Sequence, residues 1–129
     1  MPILCFHTSG EILKPPYSLK NNFFYALNGL RIVSKENAFK IEFAFFCFFS
    51  IILVFLPYPV WSKIILLSSL FFPLVAEIFN TAIENVVDLC TDEYNILAKQ
   101  AKDLAALGVL FSIILTALVW IGVIFHFSF

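Results

Sequence analysis

Charged residues are scarce in this sequence. Asp, Glu, Lys and Arg make up 13% of the 129 residues, whereas they make up about 25% of a typical soluble domain. The formal net charge is −1, so the chain has no overall basic field that could attract a polyanion. The composition therefore excludes a nucleic-acid-binding protein.

Glycine, cysteine and histidine are also few. The four glycines are scattered, so the sequence contains no Gly-rich phosphate loop of the soluble nucleotide-binding folds. The three cysteines are an odd number, no Cys-x-x-Cys pair occurs, and His7 and His126 stand near opposite ends. Neither a zinc site nor a disulfide framework is expected from this spacing.

Apolar side chains are abundant instead. Hydrophobic residues make up 61% of the chain, Phe occurs 17 times, and the mean hydropathy is +0.95. A soluble chain of this length has too little interior to bury so much apolar surface. The composition therefore excludes a soluble globular domain and a disordered chain. It predicts one all-α, membrane-embedded domain over residues 1–129.

Hydropathy divides this domain into an N-terminal part and three spans. Residues 1–20 are expected to form an arm. Residues 21–36 carry an approximate helical stripe of apolar side chains, which predicts an amphipathic helix on the membrane surface. Three later stretches reach about 20 residues, the length that crosses a bilayer, and Pro73 should kink the second. The predicted spans are residues 38–57, 64–87 and 104–127.

The distribution of Lys and Arg predicts the orientation of these spans. Five of the eight basic residues lie before or at the start of the first span, one lies in the first hairpin, two lie in the second hairpin, and none follows the third span. Cytoplasmic segments carry the excess of basic residues. The N-terminus and residues 88–103 are therefore predicted to be cytoplasmic.

Polar side chains interrupt the second half of the second span. Glu77, Asn80, Glu84 and Asp88 follow one another at spacings of three and four residues, which places them on one helix face. Carboxylates inside a membrane are costly and usually functional. Further charged residues are expected at the same depth, near the inner membrane boundary: Glu42, Lys99, Lys102 and Asp103.

This set of side chains suits two kinds of function. Carboxylate and amide oxygens bind Mg²⁺, lysines bind phosphate, and a further carboxylate can act as a general base toward a hydroxyl. Together they suit phosphoryl transfer. A small oligomeric ion carrier, or a structural polar seam between helices, also uses intramembrane carboxylates, so residue types and spacing leave both open. The cluster of Lys99, Lys102 and Asp103 outside the bilayer favours a nucleotide site.

The order of these residues closely resembles a family signature. Residues 76–89, AEIFNTAIENVVDL, and 93–110, EYNILAKQAKDLAALGVL, are similar to the prokaryotic membrane-integral diacylglycerol kinases. The pattern of that family is Glu-x-x-Asn-[Ser/Thr]-Ala-x-Glu-x-x-x-Asp, followed by Ala-Lys-Asp. Upstream, YALNGLR at 25–31 and ENAFKIE at 36–42 resemble elements of the Gram-negative branch. The resemblance covers roughly residues 23–125.

The resemblance implies a role for each polar residue. Glu77 matches the catalytic base that takes the proton from the lipid hydroxyl. Glu42 and Glu84 match the carboxylates that hold Mg²⁺ with ATP. The residues matched to the nucleotide side of the site are Asn80, Asp88, Lys102 and Asp103. The resemblance also implies a homotrimer whose sites are shared between neighbouring subunits, with the surface helix covering the path of the lipid.

The sequence thus predicts a multi-pass kinase of the bacterial inner membrane, with a cytoplasmic N-terminus, that uses ATP and Mg²⁺ to convert diacylglycerol to phosphatidic acid. The expected partners are ATP, the lipid alcohol, membrane lipids and further copies of the chain, and no nucleic acid. Asn28, Lys40 and Ile41 depart from residues common in the family and leave the choice of lipid open. The alternatives are an undecaprenol kinase, as in a sister branch, and the ion carrier or structural membrane protein.

Overall fold

The computed structural model describes residues 18–128, which contain five α-helices and no strand. The helices are α1 (Leu19–Val33), α2 (Asn37–Phe55), α3 (Val60–Ser69), α4 (Phe71–Cys90) and α5 (Ile96–Ser128). The predicted all-α class is therefore confirmed. The arm predicted for residues 1–20 lies, up to residue 17, outside the described residues.

Three stretches are long and apolar enough to cross a membrane, as the sequence predicts. They are α2, the consecutive pair α3 and α4 (Val60–Cys90), and α5. α5, which contains the third predicted span, begins at Ile96, because the Asn95 side chain caps it. Asn95 Oδ1 accepts hydrogen bonds from the backbone N–H groups of Leu97, at 2.8 Å, and Ala98, at 3.4 Å, and such a cap satisfies donors that a helix start leaves unpaired.

α5 is longer than a bilayer requires. Its 33 residues extend about 50 Å at 1.5 Å per residue, whereas the hydrocarbon core is about 30 Å thick. α5 is therefore longer than a layer of that thickness, and its charged residues Lys99, Lys102 and Asp103 lie within its first eight residues. The polar stretch 88–103 is thus mostly helical, with a turn at residues 91–95.

α1 is anchored to the rest of the described chain at its C-terminal end. Val33 is the buried side chain of this helix, and it packs with Phe39 of α2 and Leu74 of α4. A short corner, residues 34–36, turns the chain from α1 into α2. The apolar side chains along α1 are exposed in the single chain: Phe23, Phe24, Leu27 and Leu30.

The second span is interrupted at Leu70, between α3 and α4. Pro73 explains the interruption, because proline has no N–H to donate to the carbonyl of Ser69, four residues earlier, and its ring crowds that carbonyl. The Leu70 N–H accordingly bonds to the Leu67 carbonyl at 3.2 Å, a step of three residues. The effect expected of Pro73 is therefore seen as a break in the helical hydrogen bonding, three residues before the proline.

α4 lies at the centre of the bundle, in contact with α5, α2 and α3. Aromatic pairs join the spans at successive levels. The Phe71 ring of α4 lies 4.8 Å from the Phe46 ring of α2, and the Trp120 ring of α5 lies 4.9 Å from that of Phe49. At the far end, the Tyr58 and Phe127 rings stack at 4.9 Å. The Phe71–Phe46 contact and the packing of Leu74 on Val33 and Phe39 hold α4 against α2 near the α1–α2 corner.

Candidate active site

The polar face of α4 brings a carboxylate into the interior of the bundle. Glu77 is 5% exposed, and Asn80, one turn further along α4, is 9% exposed. Glu84, another turn on, is half-buried, and Asp88 is exposed. Burial therefore falls along this face from Glu77 toward the C-terminal end of α4.

Asn80 links the carboxylates on this face. Its Nδ2 donates to Glu84 Oε1 at 3.1 Å, and its amide also interacts with the Glu77 carboxylate. Glu77 and Glu84 themselves are close enough to interact electrostatically. The Asn80 Oδ1 atom is buried and has no hydrogen-bond partner within residues 18–128. This oxygen is therefore free to accept from a donor or to bind a cation.

Glu42 joins this group from α2. Its side chain is half-buried, and its charge interacts with that of Glu77. Its Oε2 atom is buried and unpartnered in the described part of the chain. A buried carboxylate oxygen without a donor is costly, and a bound cation or a hydroxyl would offset that cost. The structure thus brings together Glu42, Glu77, Asn80 and Glu84.

Glu36 is an exposed carboxylate at the edge of this site that the sequence reasoning missed. It precedes α2 at the corner after α1, its side chain makes no capping hydrogen bond, and its charge interacts with Glu77. The segment ENAFKIE contains both Glu36 and Glu42, which was the available signal. Their spacing of six residues does not place them on one helix face, so only the folded corner shows that the charges of both interact with Glu77.

A second charged group lies at the end of α4. Lys102 Nζ of α5 donates to Asp88 Oδ1 at 2.5 Å, and the Lys102 side chain is 38% exposed. Asp103 pairs instead with Lys99, one turn earlier on its own helix. Lys102 and Asp103, both matched to the nucleotide side of the site, are therefore held by different partners. Asp88 and Lys102 are brought together across the 91–95 turn.

The donor set fits a metal ion that arrives with phosphates better than an enclosed metal. Within residues 18–128, no three His, Cys, Asp or Glu side chains converge as a metal-binding group. Mg²⁺ commonly takes one or two carboxylates and fills its remaining positions with phosphate oxygens and water. The unpartnered oxygens of Glu42 and Asn80 are hard donors of the required kind.

A groove lies between α1 and α2, next to the corner that carries Glu36. Its volume is about 440 Å³, which is within the usual range of ligand pockets, about 300–1,000 Å³. Apolar side chains make up most of its lining, with two polar side chains among them. The lining residues are Leu27, Leu30, Arg31, Ser34, Phe39 and Phe43. The groove is suited to an apolar chain.

Comparison with known proteins identifies the family. The family model described as prokaryotic diacylglycerol kinase matches residues 24–124. The chain is 34% identical over 97 residues to the diacylglycerol kinase of Escherichia coli strain K12, covering 74% of this chain and 80% of that protein. It is 33% identical over 112 residues to the diacylglycerol kinase of Haemophilus influenzae, covering 83% and 92%.

A shorter match is to an undecaprenol kinase, a member of the sister branch. Over 46 residues, 36% of each chain, the sequence is 54% identical to the undecaprenol kinase of Bacillus subtilis strain 168. The family model, however, includes every residue of the polar face of α4, and it also includes Glu36, Glu42 and Lys102. The chain belongs to the prokaryotic diacylglycerol kinase family.

Proposed function

We propose that this protein is a kinase that transfers the γ-phosphate of ATP to the primary hydroxyl of diacylglycerol, giving phosphatidic acid and ADP. The observation that carries the proposal is the meeting of carboxylates from α2, α4 and the α1–α2 corner, with Lys102 at the end of α4. Family membership supports the same conclusion.

Glu77 is the proposed general base. The lipid hydroxyl oxygen attacks the γ-phosphorus, the bond to the β-phosphate oxygen breaks, and Glu77 takes the hydroxyl proton. A base must lie within hydrogen-bond reach of the proton that it removes. Glu77 is the most buried carboxylate of the α4 face, so it is the one that a lipid hydroxyl meets away from water.

Glu42 and Glu84 are the proposed ligands of Mg²⁺, and the free Asn80 oxygen is a further donor. The ion would neutralise the charge of the transferred phosphate. Asn80 holds Glu84 by the 3.1 Å hydrogen bond, which fixes one carboxylate oxygen and leaves the other for a ligand. This arrangement keeps the carboxylates in place while the nucleotide binds.

Asn80, Asp88, Lys102 and Asp103 are the proposed nucleotide-binding residues. Lys102 would bind phosphate oxygens, since an ammonium group is a strong donor to them. Asp88 holds that ammonium at the C-terminal end of α4, at the depth where the phosphates would lie. Nucleotide phosphates would then compete with the Asp88 carboxylate for Lys102.

α1 is proposed to lie on the cytoplasmic membrane surface and to guide the lipid. Its apolar side chains are exposed in the single chain, and a helix of this type buries such a face at the lipid interface. The groove between α1 and α2 would take an apolar chain of the substrate. The positive-inside rule places α1 and the 91–95 turn in the cytoplasm of a bacterial inner membrane.

A homotrimer with shared sites is the proposed assembly. α5 buries little of its surface in the single chain, and the unpartnered Glu42 and Asn80 oxygens leave room for donors from a neighbouring copy. Exposed apolar surface of a transmembrane helix is covered by lipid or by other helices. Closed cyclic symmetry is usual for oligomers of one chain.

Undecaprenol is the second candidate substrate, because the 46-residue match to an undecaprenol kinase is the more identical one. The polar side chains of the site suit either lipid, since both present a primary hydroxyl. The exposed Asp88–Lys102 pair has no evident use in an ion carrier or a structural seam, and family membership also argues against them.

The purified protein in mixed micelles tests the proposal. Mg-ATP is supplied with diacylglycerol or undecaprenol separately, and both ADP release and the phosphorylated lipid are measured. We expect turnover with diacylglycerol and its loss in Glu77→Gln. Turnover with undecaprenol alone would support the second candidate. The absence of turnover with either lipid would contradict the assignment as a lipid kinase.

A further inference from the structure

Two hydroxyl groups donate hydrogen bonds to backbone carbonyl oxygens at the break between α3 and α4. The Ser69 side chain donates to the Leu66 carbonyl at 2.7 Å. The Thr116 hydroxyl of α5 lies 2.9 Å from the Ser69 carbonyl. Inside a bilayer no water is available to pair such carbonyls, and an unpaired one is costly. Each hydroxyl therefore satisfies an acceptor that the break would otherwise leave in the hydrocarbon.

The missing donors can be traced to Pro73 and Leu70. In a continuous helix the Ser69 carbonyl accepts from the N–H of residue 73, but that residue is proline. The Leu66 carbonyl would accept from Leu70, whose N–H bonds to Leu67 instead. Thr116 thus supplies, from another helix, the hydrogen that Pro73 lacks.

The Thr116 hydroxyl has one proton and two nearby acceptors. It also lies 2.9 Å from the Ser112 carbonyl of its own helix, a common position for a helical threonine. The Ser112 carbonyl lies inside α5, where it already accepts a hydrogen bond from a backbone N–H of the helix. The Ser69 carbonyl is the acceptor whose helical donor is absent, so a hydrogen bond from the hydroxyl stabilises it more than it stabilises the Ser112 carbonyl.

The position of this contact matters for the active site. Glu77 lies seven residues after Leu70, about 10 Å along α4. A rotation of about 10° at the break would move Glu77 by about 2 Å over that length. Displacement of a catalytic group by about 1 Å can cost about a hundredfold in rate. A fixed angle at the break is therefore a condition for a correctly placed base.

We infer that Thr116 is a positioning residue for the active site. By donating to the Ser69 carbonyl it replaces the N–H that Pro73 lacks, and it fixes the direction in which α4 leaves the break. Leu74, packed against Val33 and Phe39, holds α4 one turn before Glu77. α4 is thus held at two points: at the break by the contact of Thr116 with Ser69, and one turn before Glu77 by the packing of Leu74 on Val33 and Phe39.

The test compares Thr116→Val, Thr116→Ser, Pro73→Ala and the double variant Pro73→Ala/Thr116→Val. Valine keeps the shape of threonine and removes the donor, serine keeps the donor, and alanine restores the backbone N–H. We expect Thr116→Val to lower kcat about tenfold, with KM for Mg-ATP within about twofold. Thr116→Ser should retain kcat, and the double variant should match Pro73→Ala, because Ser69 then has its own helical donor.

Hydrogen exchange provides a readout that does not depend on the substrate. Amides of residues 70–77 should exchange faster in Thr116→Val than in the parent, but not in the double variant relative to Pro73→Ala. An inactive parent would contradict the proposed kinase function and leave this comparison valid. The inference is wrong if Thr116→Val changes neither kcat nor exchange, or if it has the same effect in the Pro73→Ala background as in the parent.

Discussion

Glu77, Glu84 and Asp88 lie on one face of α4 but in three different environments. Glu77 is buried, Glu84 is half-buried and held by Asn80, and Asp88 is exposed and paired with Lys102. The face therefore leads from a dry interior to water within about three helical turns. A lipid hydroxyl and a nucleotide can reach the same face from opposite directions, as phosphoryl transfer between them requires.

The first prediction concerns the base. Glu77→Gln keeps the size of the side chain but cannot take a proton, so turnover should be almost abolished while Mg-ATP binding is largely retained. Nucleotide affinity and kcat are measured in the same detergent. Glu93→Gln, which changes an exposed carboxylate in the 91–95 turn, is the matched control and should retain activity. Turnover within a few-fold of the parent would show that Glu77 is not the base.

The second prediction concerns Mg²⁺. Removing a carboxylate ligand weakens a metal site, so Glu42→Gln and Glu84→Gln should each raise the Mg²⁺ concentration for half-maximal activity by about tenfold or more. Glu36→Gln is measured beside them, because Glu36 also approaches Glu77. A shift in Glu36→Gln with none in Glu42→Gln would assign the ligand to Glu36 and contradict the role of Glu42.

The third prediction concerns the phosphates. Lys102→Met removes the cation at the end of α4, and KM for Mg-ATP should rise about tenfold or more, since a charged hydrogen bond to phosphate is lost. Asp88→Asn should lower the free energy of unfolding by at most about 1 kcal/mol, because exposed ion pairs contribute no more than that. Lys35→Met, which changes an exposed lysine at the α1–α2 corner, is the control. Equal effects of Lys102→Met and Lys35→Met would indicate a general charge effect.

At the scale of elements, the ends of the helices determine which residues reach the site. Asn95 starts α5 eight residues before the predicted span, and this early start carries Lys99, Lys102 and Asp103 on a rigid helix. Pro73 interrupts the regular hydrogen bonding of the second span at Leu70. The helical type of each span was predictable from hydropathy, whereas these limits depended on single capping and breaking residues.

The orientation of the helices gives the fourth prediction. In a variant whose cysteines Cys5, Cys47 and Cys90 are replaced, a cysteine at Asp92 should react with an impermeant reagent from the cytoplasmic side only. A cysteine at Ser128 should react from the outside, because the basic residues lie before α2 and between α4 and α5. Intact cells and inverted vesicles provide the two sides. The reverse labelling pattern would contradict the orientation.

At the scale of the whole molecule, the single chain leaves much apolar surface uncovered. Large hydrophobic side chains are exposed along α2, α4 and α5, and lipid and neighbouring copies would cover them. The site residues also come from widely separated parts of the described chain, from Glu36 to Asp103. An assembly could therefore combine α4 of one copy with α5 of the next.

Subunit mixing tests this assembly. Glu77→Gln is expected to be nearly inactive, and Lys102→Met to have a low activity at a Mg-ATP concentration far below its raised KM. The two proteins are combined in equal amounts after dissociation and assayed at that concentration. If each site takes Glu77 from one copy and Lys102 from its neighbour, about a quarter of the sites regain both residues by random assembly. Sites built within one chain regain none. Activity of the mixture no higher than the mean of the two variants would contradict shared sites.

The sequence by itself determined that the chain is helical and has three spans, because apolar runs of this length can pair their backbone groups in a membrane only as helices. It also determined that Glu77, Asn80 and Glu84 share one face, because their spacing matches the helical period. These conclusions depend on local order along one helix.

Only the tertiary structure decided which residues of different helices meet. The approach of Glu36 and Glu42 to Glu77, the pairing of Lys102 with Asp88, and the contact of Thr116 with Ser69 all depend on how the helices rotate about their axes. α2 and α5 are apolar on nearly every side, so hydropathy assigns them no inward face. Side-chain packing selects that face, and it operates between residues far apart in the chain.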